Sequence, residues 1–341
     1  MSGTVDDDLI NHGYSEPIIF AIGLGLLNGV GSQTIRNITA PHNLDKISEL
    51  DTADKIIEFV NTNGGKLSLP QNNIKNKESL RDSIIELGTV SAIELTTFGV
   101  YCITPKSLAY PLCLHDLEQR KPHWLFVRGN LSLLSRNSVA VVGTREATVI
   151  GEFLTKHTVS QCKLHGIPVI SGLAKGIDTI AHDWALQIGI ETISVLGSGI
   201  LAPYPARNAG MAETIVNRGG LIISEYLPHQ QPSADMFVWR NRLQACLSKC
   251  VIATEWKKSS GTAHTVRFAN ELNRPSVSLS LQGGYESKAA GRGAYHYELL
   301  EQQCEFSDFL YDSTRCESVV DNVEEKYKDK PESRYTQAAL F

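Results

Sequence analysis

Residues 171–178 read SGLAKGID, a run in which small residues surround Lys175. Such a run suits a tight turn with unusual backbone angles, or a loop that lets an anionic ligand approach bare backbone. The segments Gly143-Thr144-Arg145 and Arg240-Asn241-Arg242 add arginines, whose forked donors match phosphate geometry. These residue types indicate anion binding, provided that the fold brings them together.

The strands and helices that must position these residues can be predicted from the sequence, in which short β-branched runs alternate with segments of helical periodicity. The predicted strands are 139–143, 168–172, 192–199, 221–226, 251–256 and 275–281. The predicted helices are 147–165, 177–189, 209–218, 240–249 and 262–273. Apolar strands separated by helices predict a parallel sheet covered on both faces. The fold class is therefore α/β: an extended Rossmann-like, doubly wound, mostly parallel sheet with a small N-terminal helical domain.

The candidate motifs all follow predicted strands. In open α/β sheets, ligands bind outside the carboxyl ends of the strands, so these motifs are expected at one rim. The cations expected there are Arg145, Lys175, Arg240 and Arg242. Their convergence predicts an anion site rather than four unrelated turns.

Asp178 and His182 are four residues apart on a predicted helix and could form an acid–base pair. A structural interpretation is favoured, in which Asp178 lies near a helix N-terminus and His182 makes a buried hydrogen bond. No nucleophile elbow, Walker A loop or set of metal ligands is present in the sequence.

The N-terminal region differs from the rest. Gly29-Val30-Gly31 separates two apolar helical segments, as in a helix–hairpin–helix or in a plain helical bundle, and the local pattern favours the bundle. The predicted organisation is an N-terminal helical region at 1–105, a Rossmann-like core at 106–312 and a polar tail at 313–341.

The composition argues against several classes of protein. The net charge of −5 argues against a broad nucleic-acid field, so a site for DNA must be a local cluster of cations. No apolar run approaches the length of a membrane span, and the acidic N-terminus does not resemble a secretory signal. Seven cysteines without CxxC spacing indicate reduced thiols in a cytoplasmic protein. The pairs Cys246/Cys250 and Cys113/His115 lack the spacing of a zinc site, and neither a metal nor a cofactor is predicted.

The motifs, taken in order, resemble the bacterial DNA-processing protein A (DprA, or Smf) family. The resemblance runs from about Ser107 to Asp312. It is carried by LFVRGN, VAVVGTREAT, SGLAKGIDTIAH, VLGSG followed by YP, ISE, Phe237 with RNR, and SGTAHTVRFANELNRP.

The resemblance implies a dimeric protein that binds single-stranded DNA, loads a RecA-type recombinase during transformation or recombination, and catalyses no reaction. The pocket residues it implies here are Arg145, Lys175, Phe237, Arg240, Asn241 and Arg242, with the amides of Gly143, Gly172 and Gly176 beside the phosphates. Phe237 could stack under a base or only wedge the loop. Many relatives end in a winged-helix domain, for which the 29 residues after Asp312 are too few and too polar.

A nucleotide-binding or nucleoside-monophosphate-hydrolysing protein is the alternative. Such Rossmann-like enzymes resemble one another in a P-G-G-x-G-T-x-x-E loop. The segment at 258–262, KSSGT, keeps only the final Gly-Thr, and Glu271 comes too late to supply the acid. Binding is therefore favoured over hydrolysis.

The C-terminal residues QAALF resemble the Q-x-x-L-F peptide with which replication proteins dock on the bacterial sliding clamp. Gln337, Leu340 and Phe341 are the candidate contacts, since an apolar pair on a tail can fill a hydrophobic pocket. Packing of Leu340 and Phe341 on their own domain is the alternative.

Overall fold

The computed structural model describes residues 7–69, 77–257, 259–281 and 294–299. In these ranges the strands are β1 Val100–Ile103, β2 Leu125–Gly129, β3 Val139–Gly143, β4 Val169–Ser171, β5 Thr192–Val195, β6 Leu221–Ser224, β7 Cys250–Glu255, β8 Ser276–Leu281 and β9 Ala294–Leu299. The helices are α1 Asp7–Asn11, α2 Glu16–Gly25, α3 Ser32–Ile38, α4 Pro41–Leu44, α5 Ala53–Thr62, α6 Leu80–Thr97, α7 Val149–Leu164, α8 Ile177–Ile188, α9 Ala209–Asn217, α10 Ala234–Leu247 and α11 Thr262–Glu271.

The strands form one sheet in the order β1-β2-β6-β5-β4-β3-β7-β8-β9. Neighbours from β6 through β9 are parallel, whereas β1 pairs antiparallel with β2 and β2 antiparallel with β6. The chain order reverses direction between β3 and β7, which is a topological switch point of the kind where such sheets bind ligands. The prediction of a mostly parallel, doubly wound sheet is confirmed.

Each predicted strand from residue 139 to residue 281 is present, because continuous apolar runs such as VAVVG and LIIS are buried on both faces of the sheet. The helix predicted at 240–249 begins at Ala234 instead. Ser233 caps it, and its hydroxyl accepts a hydrogen bond from the amide of Met236. This earlier start places Phe237 within the helix rather than on the preceding loop.

The N-terminal residues form helices α1 to α6. Gly29 connects α2 to α3 with a φ of 91°, and its carbonyl accepts a hydrogen bond from the amide of Lys66 at 2.8 Å. Buried side chains from these helices share one apolar cluster with Trp124, Phe126 and Ile222 of the sheet region. The division after residue 105 stays a prediction, although apolar packing crosses it.

Helices cover both faces of the sheet, and apolar side chains fill the layers between them. In the described ranges, none of the helices has both the length and the apolar character needed to cross a bilayer. The predicted tail at 313–341, with Gln337, Leu340 and Phe341, lies outside the described residues.

Candidate functional site

A groove with a volume of about 580 Å³ lies beyond the carboxyl ends of β3 and β7, against one side of α10. Five of the predicted site residues line it: Gly143, Arg145, Phe237, Arg240 and Asn241. On α10 the lining positions are 234, 237, 238, 240, 241 and 244, the spacing of one helix face. The structure therefore joins motifs that are about 100 residues apart in the chain.

Hydrogen bonds fix the walls of the groove. The hydroxyl of Thr262 donates to the carbonyl of Gly143 at 2.8 Å, and the amide of Thr144 donates to the carbonyl of Glu255 at 2.7 Å. The side-chain amide of Asn241 donates to the carbonyl of Gly261 at 3.2 Å. Asn241 is thus held as a wall residue that ties α10 to the loop before α11.

The mouth of the groove carries a cation and two rings. The guanidinium carbon of Arg145 lies 5.3 Å from the ring centroid of Phe237, within the range of a cation–π contact. The ring of Tyr204 lies 5.4 Å from that of Phe237, at an interplanar angle of 46°. Phe237 is half-buried, whereas Tyr204 is 47% exposed, so Tyr204 offers the more accessible aromatic surface.

Two further cations lie on neighbouring loops. Lys175 is exposed, and the next residue, Gly176, packs so closely that a Cβ there would lie 2.8 Å from the Cα of Arg145. Arg207 is also exposed, and the adjacent Asn208 donates to the carbonyl of Leu173 at 2.8 Å. Among the described residues, no carboxylate forms an ion pair with any of these three cations. Arg145 therefore lies in the groove, while Lys175 and Arg207 are exposed on loops near it and do not line it.

The floor of the groove holds polar donors that are not fully used. Arg240 is buried and donates from Nη1 to the carbonyl of Val195, yet its Nε has no partner in the described part of the chain. Gln244 is 1% exposed, and its Nε2 is likewise unpaired within the described ranges. Buried donors without partners are costly, so this floor suits a ligand that brings acceptors.

Asp178 explains the shape of the SGLAKGID loop. This buried carboxylate accepts hydrogen bonds from the amides of Ala174 and Gly172, and it lies beside Ser171, whose hydroxyl donates to the carbonyl of Val141 at 2.7 Å. Burial raises the pKa of Asp178, while the charge of Arg240 and these hydrogen bonds oppose the rise. The loop therefore wraps a carboxylate of its own chain.

The expectation that three glycines bring phosphates to their amides stays a prediction, and within the chain the amide of Gly172 donates to Asp178. A Cβ at Gly172 would overlap the guanidinium of Arg240. At Gly143 it would lie 2.7 Å from the carbonyl oxygen of Glu255. Gly176 has a φ of 83° and packs against the backbone of residues 144 and 145. Internal packing accounts for the small residues around Lys175.

Arg242 is not a groove residue, contrary to the expectation from the sequence. Its side chain is fully buried and donates to both carboxylate oxygens of Glu225, and its Nε donates to the carbonyl of Arg120 at 2.8 Å. On the same side of α10, the ring of Trp239 lies 4.3 Å from the guanidinium carbons of both Arg242 and Arg36. Arg242 thus joins α10 to the residue that follows β6 and to the segment that precedes β2, whereas Trp239 contacts α3.

The structural interpretation of His182 is confirmed. His182 is fully buried, its Nδ1 lies 2.8 Å from the hydroxyl of Thr192, and burial lowers its pKa to about 3. Asp178 makes its own hydrogen bonds to the loop before α8. The two side chains serve separate structural contacts.

The acid considered for hydrolysis lies away from the groove. Glu271 is the last residue of α11 and pairs with Arg120 at 2.7 Å, whereas the first residue of that helix lines the groove. The described ranges hold no group of three His, Cys, Asp or Glu side chains placed to bind a metal ion.

Sequence reasoning missed two residues of the site. Tyr204 was visible only as part of the Tyr204-Pro205 loop after the third predicted strand, and nothing local indicated that its ring would reach Phe237. Gln244 lies one helical turn after Arg240 on the face that lines the groove, and this spacing within the helix predicted at 240–249 was the signal that could have found it.

The model of the family described as DNA recombination-mediator protein A matches residues 101–295, more than half of the chain. The chain belongs to this family. The match contains every groove residue named above, and it includes the antiparallel strand β2, which the sequence pattern did not predict.

Individual members of the DNA recombination-mediator protein A family are also similar to this chain in sequence. DNA processing protein DprA of Streptococcus pneumoniae is 40% identical over 165 residues, which are 48% of this chain and 57% of that protein. Protein Smf of Escherichia coli is 37% identical over 158 residues, 46% of this chain and 42% of the relative. The chain spans about half the length of the curated relatives it matches.

Solved structures show the same fold. The X-ray structure of DprA from Streptococcus pneumoniae superposes with a TM-score of 0.56 and 27% identity, covering 83% of this chain and 94% of that one. DNA processing protein A from Helicobacter pylori gives a TM-score of 0.50 and 23% identity over 67% of this chain and 98% of that chain. The second likeness concerns the fold alone.

Proposed function

We propose that this member of the recombination-mediator family binds single-stranded DNA in the groove beside α10 and catalyses no reaction. The observation that carries the proposal is the mouth of the groove, where the exposed Arg145 lies over the ring of Phe237 and the ring of Tyr204 contacts that of Phe237. Exposed Lys175 precedes Gly176, which packs against Arg145. Single-strand binding sites combine cations that contact the backbone with rings on which bases stack.

The hydrogen-bond donors without partners on the floor of the groove support the same proposal. Arg240 Nε and Gln244 Nε2 are donors that the edge of a base or a phosphate oxygen would satisfy. DNA processing protein A from Helicobacter pylori binds single-stranded DNA, and its fold is that of this chain. An extended strand, with its bases unpaired, can present phosphates to the rim and bases to the rings.

The experiment is fluorescence anisotropy of labelled oligo(dT) across a salt series, with duplex DNA as competitor. An attractive charge contact in water is worth about 1 kcal/mol, so Arg145→Glu or Lys175→Glu should cost about 2 kcal/mol, close to thirtyfold in Kd. Loss of one phosphate contact should also lower the slope of log K against log salt by about 0.7.

Arg218→Glu is the matched control. Arg218 is exposed and directly follows α9, at the end of the sheet opposite the groove. This charge reversal changes net charge by the same amount as the groove variants, so it should leave most of the affinity intact. Equal losses in all three variants would show a diffuse charge effect, and unchanged binding in both groove variants would contradict the site.

The same proposal includes two protein partners: a second copy of the chain and a RecA-type recombinase that is loaded on the bound strand. Membership of the family supports both. Sedimentation of the chain alone tests the homodimer. Recombinase filament formation on single strands, with and without the chain, tests loading; Arg145→Glu should abolish any stimulation, because loading requires the bound strand.

We also propose that Gln337, Leu340 and Phe341 dock on the bacterial sliding clamp. The support is the Q-x-x-L-F pattern in the sequence. Deletion of residues 337–341 should remove clamp affinity while leaving oligo(dT) binding unchanged. Equal clamp affinity of the full and shortened chains would refute this part of the proposal.

A further inference from the structure

Two cysteines that are 133 positions apart in sequence meet at the end of α10 remote from the DNA groove. The thiol of Cys246 donates to the carbonyl oxygen of Cys113 at 2.9 Å, and the two thiols are hydrogen-bonded to each other. Cys113 belongs to the segment Leu112–Arg120, which has 3₁₀ turns and packs on α10. We propose that Cys113 and Cys246 are a peroxide-oxidisable pair that forms a reversible disulfide.

The pair lies beside a cavity. Both cysteines line a cavity of about 520 Å³, together with Leu112, Leu247 and Arg274. Cys113 is partly exposed, whereas Cys246 is 1% exposed. The difference in exposure gives the two cysteines different roles. A small oxidant reacts first with Cys113, and Cys246 is the resolving thiol that then attacks the oxidised Cys113.

The surroundings favour the thiolate of Cys113. The hydrogen bond from Cys246, and then the positive charges of Arg274 and Lys249, lower the pKa of Cys113, although burial and Asp116 oppose them. The partner thiol behaves in the opposite way, since the hydrogen bond to Cys113 and burial raise the pKa of Cys246. A thiolate is the reactive form of cysteine, so Cys113 is the nucleophile.

Two of the three other cysteines in the described ranges differ from this pair. Cys102 and Cys162 are buried in apolar clusters, where burial raises the pKa of both thiols, to about 12 for Cys162. A buried neutral thiol resists oxidation because the thiolate is suppressed. The structure therefore sets Cys113 and Cys246 apart from the cysteines that only fill apolar space.

The chemistry balances with hydrogen peroxide as the oxidant. The Cys113 thiolate attacks a peroxide oxygen, the O–O bond breaks, and the products are a sulfenic acid and hydroxide, which takes up a proton to become water. The Cys246 sulfur then attacks the sulfenic sulfur, the S–O bond breaks and a second water leaves. Two thiols and one peroxide give one disulfide and two waters, and an added dithiol reverses the bond.

The disulfide would tie the segment Leu112–Arg120 to the C-terminal turn of α10, the helix whose other half lines the DNA groove. This inference does not depend on the proposed DNA function. It requires only that the two thiols stay adjacent in the folded chain.

The test is tryptic mass spectrometry of the full chain after treatment with hydrogen peroxide and blocking of residual thiols. Trypsin places Cys113 in residues 107–120 and Cys246 in residues 243–249, while Cys250 falls in the next peptide. We expect peptides 107–120 and 243–249 to appear joined, two hydrogens lighter than their sum, and to separate on addition of dithiothreitol.

Two variants sharpen the result. Cys246→Ser should leave a sulfenic acid at residue 113 that dimedone traps, whereas Cys113→Ser should lose both the cross-link and the dimedone adduct. Cys162→Ser is the control and should cross-link like the parent chain. Oxidation at the other cysteines without the 113–246 cross-link, or dimedone labelling that is equal in Cys113→Ser, would overturn the proposal.

Discussion

Arg242 donates one hydrogen bond to each carboxylate oxygen of Glu225, at N–O distances of 2.6 and 2.5 Å. Neither side chain is more than 10% exposed, so both charges depend on each other for compensation. An arginine that lies two residues from a groove residue thus belongs to the interior. The contact connects β6, through the residue that follows it, to α10.

Arg242→Ala should destabilise the fold by about 3–5 kcal/mol, because it leaves Glu225 buried without its partner. The free energy of unfolding in urea measures this loss. The double variant with Arg242→Met and Glu225→Leu removes both charges and should recover much of the stability. A folded Arg242→Ala chain with full stability but no DNA affinity would instead return Arg242 to the binding site.

Gly172→Ala should destabilise the chain by about 1–3 kcal/mol, since the added methyl group meets the guanidinium of Arg240, which is bonded to the carbonyl of Val195. Gly210→Ala is the matched control. Gly210 lies in α9 with nothing within 4 Å of an added Cβ, and alanine there should be neutral or stabilising by up to about 1 kcal/mol. Thermal unfolding of both variants tests this prediction. Equal melting temperatures of the Gly172→Ala and Gly210→Ala chains would show that Arg240 can move aside without loss of stability.

The rings at the groove mouth should stack on bases of a bound strand. Tyr204→Ala and Phe237→Ala should each weaken oligo(dT) binding by about 1–3 kcal/mol, while the salt slope stays unchanged because no charge is removed. Tyr204→Phe keeps the ring and should bind normally. If Phe237→Ala binds as tightly as the parent chain, the ring of Phe237 only fills the space between Gly197 and Arg145.

Acid should weaken the fold through His182. Burial lowers its pKa from 6.5 to about 3, so between these values the unfolded chain binds a proton that the folded chain does not. The stability contributed by the neutral imidazole is complete above pH 6.5 and is lost as the pH falls toward 3. From pH 7 to pH 5 this one group should cost about 2 kcal/mol.

Urea unfolding at a series of pH values measures the effect. His182→Gln keeps a polar side chain that does not titrate, so its stability should change less between pH 7 and pH 5 by the amount assigned to His182. The comparison uses the slopes with pH, since the variant also alters the contact with Thr192. Parallel slopes would show that His182 takes up protons equally in the folded and unfolded chains, which would contradict the lowered pKa.

The parallel part of the sheet was predictable from the sequence because its signals are local. Runs such as VAVVG and LIIS can be buried on both faces only as interior strands, and the helices between them carry their own period. The antiparallel strands β1 and β2 escaped prediction. They are as long as β6 and β3, but they lie outside the part of the sequence in which predicted strands alternate with predicted helices.

The motifs also predicted where a site would form, because the carboxyl ends of parallel strands must share one rim. Arg145 and Lys175 follow directly from this rule, since each lies in a loop that leaves a predicted strand. The rule says nothing about which way a side chain turns once the chain enters a helix. Arg240 and Arg242 therefore looked equivalent in sequence.

Tertiary structure separated those two arginines. Helix α10 is buried on several sides, so its polar residues do not form a single solvent-exposed face. The direction of each side chain around the helix axis decides which partner it contacts. Arg240 reaches the groove and Val195, whereas Arg242, about 200° further around the helix, reaches Glu225. The sequence determined the sheet and the rim at which the candidate loops meet, because strand burial and helical period are local properties. Only the packing of distant segments decided which cations remain free to bind, because the carboxylates and carbonyls that capture the others come from elsewhere in the chain.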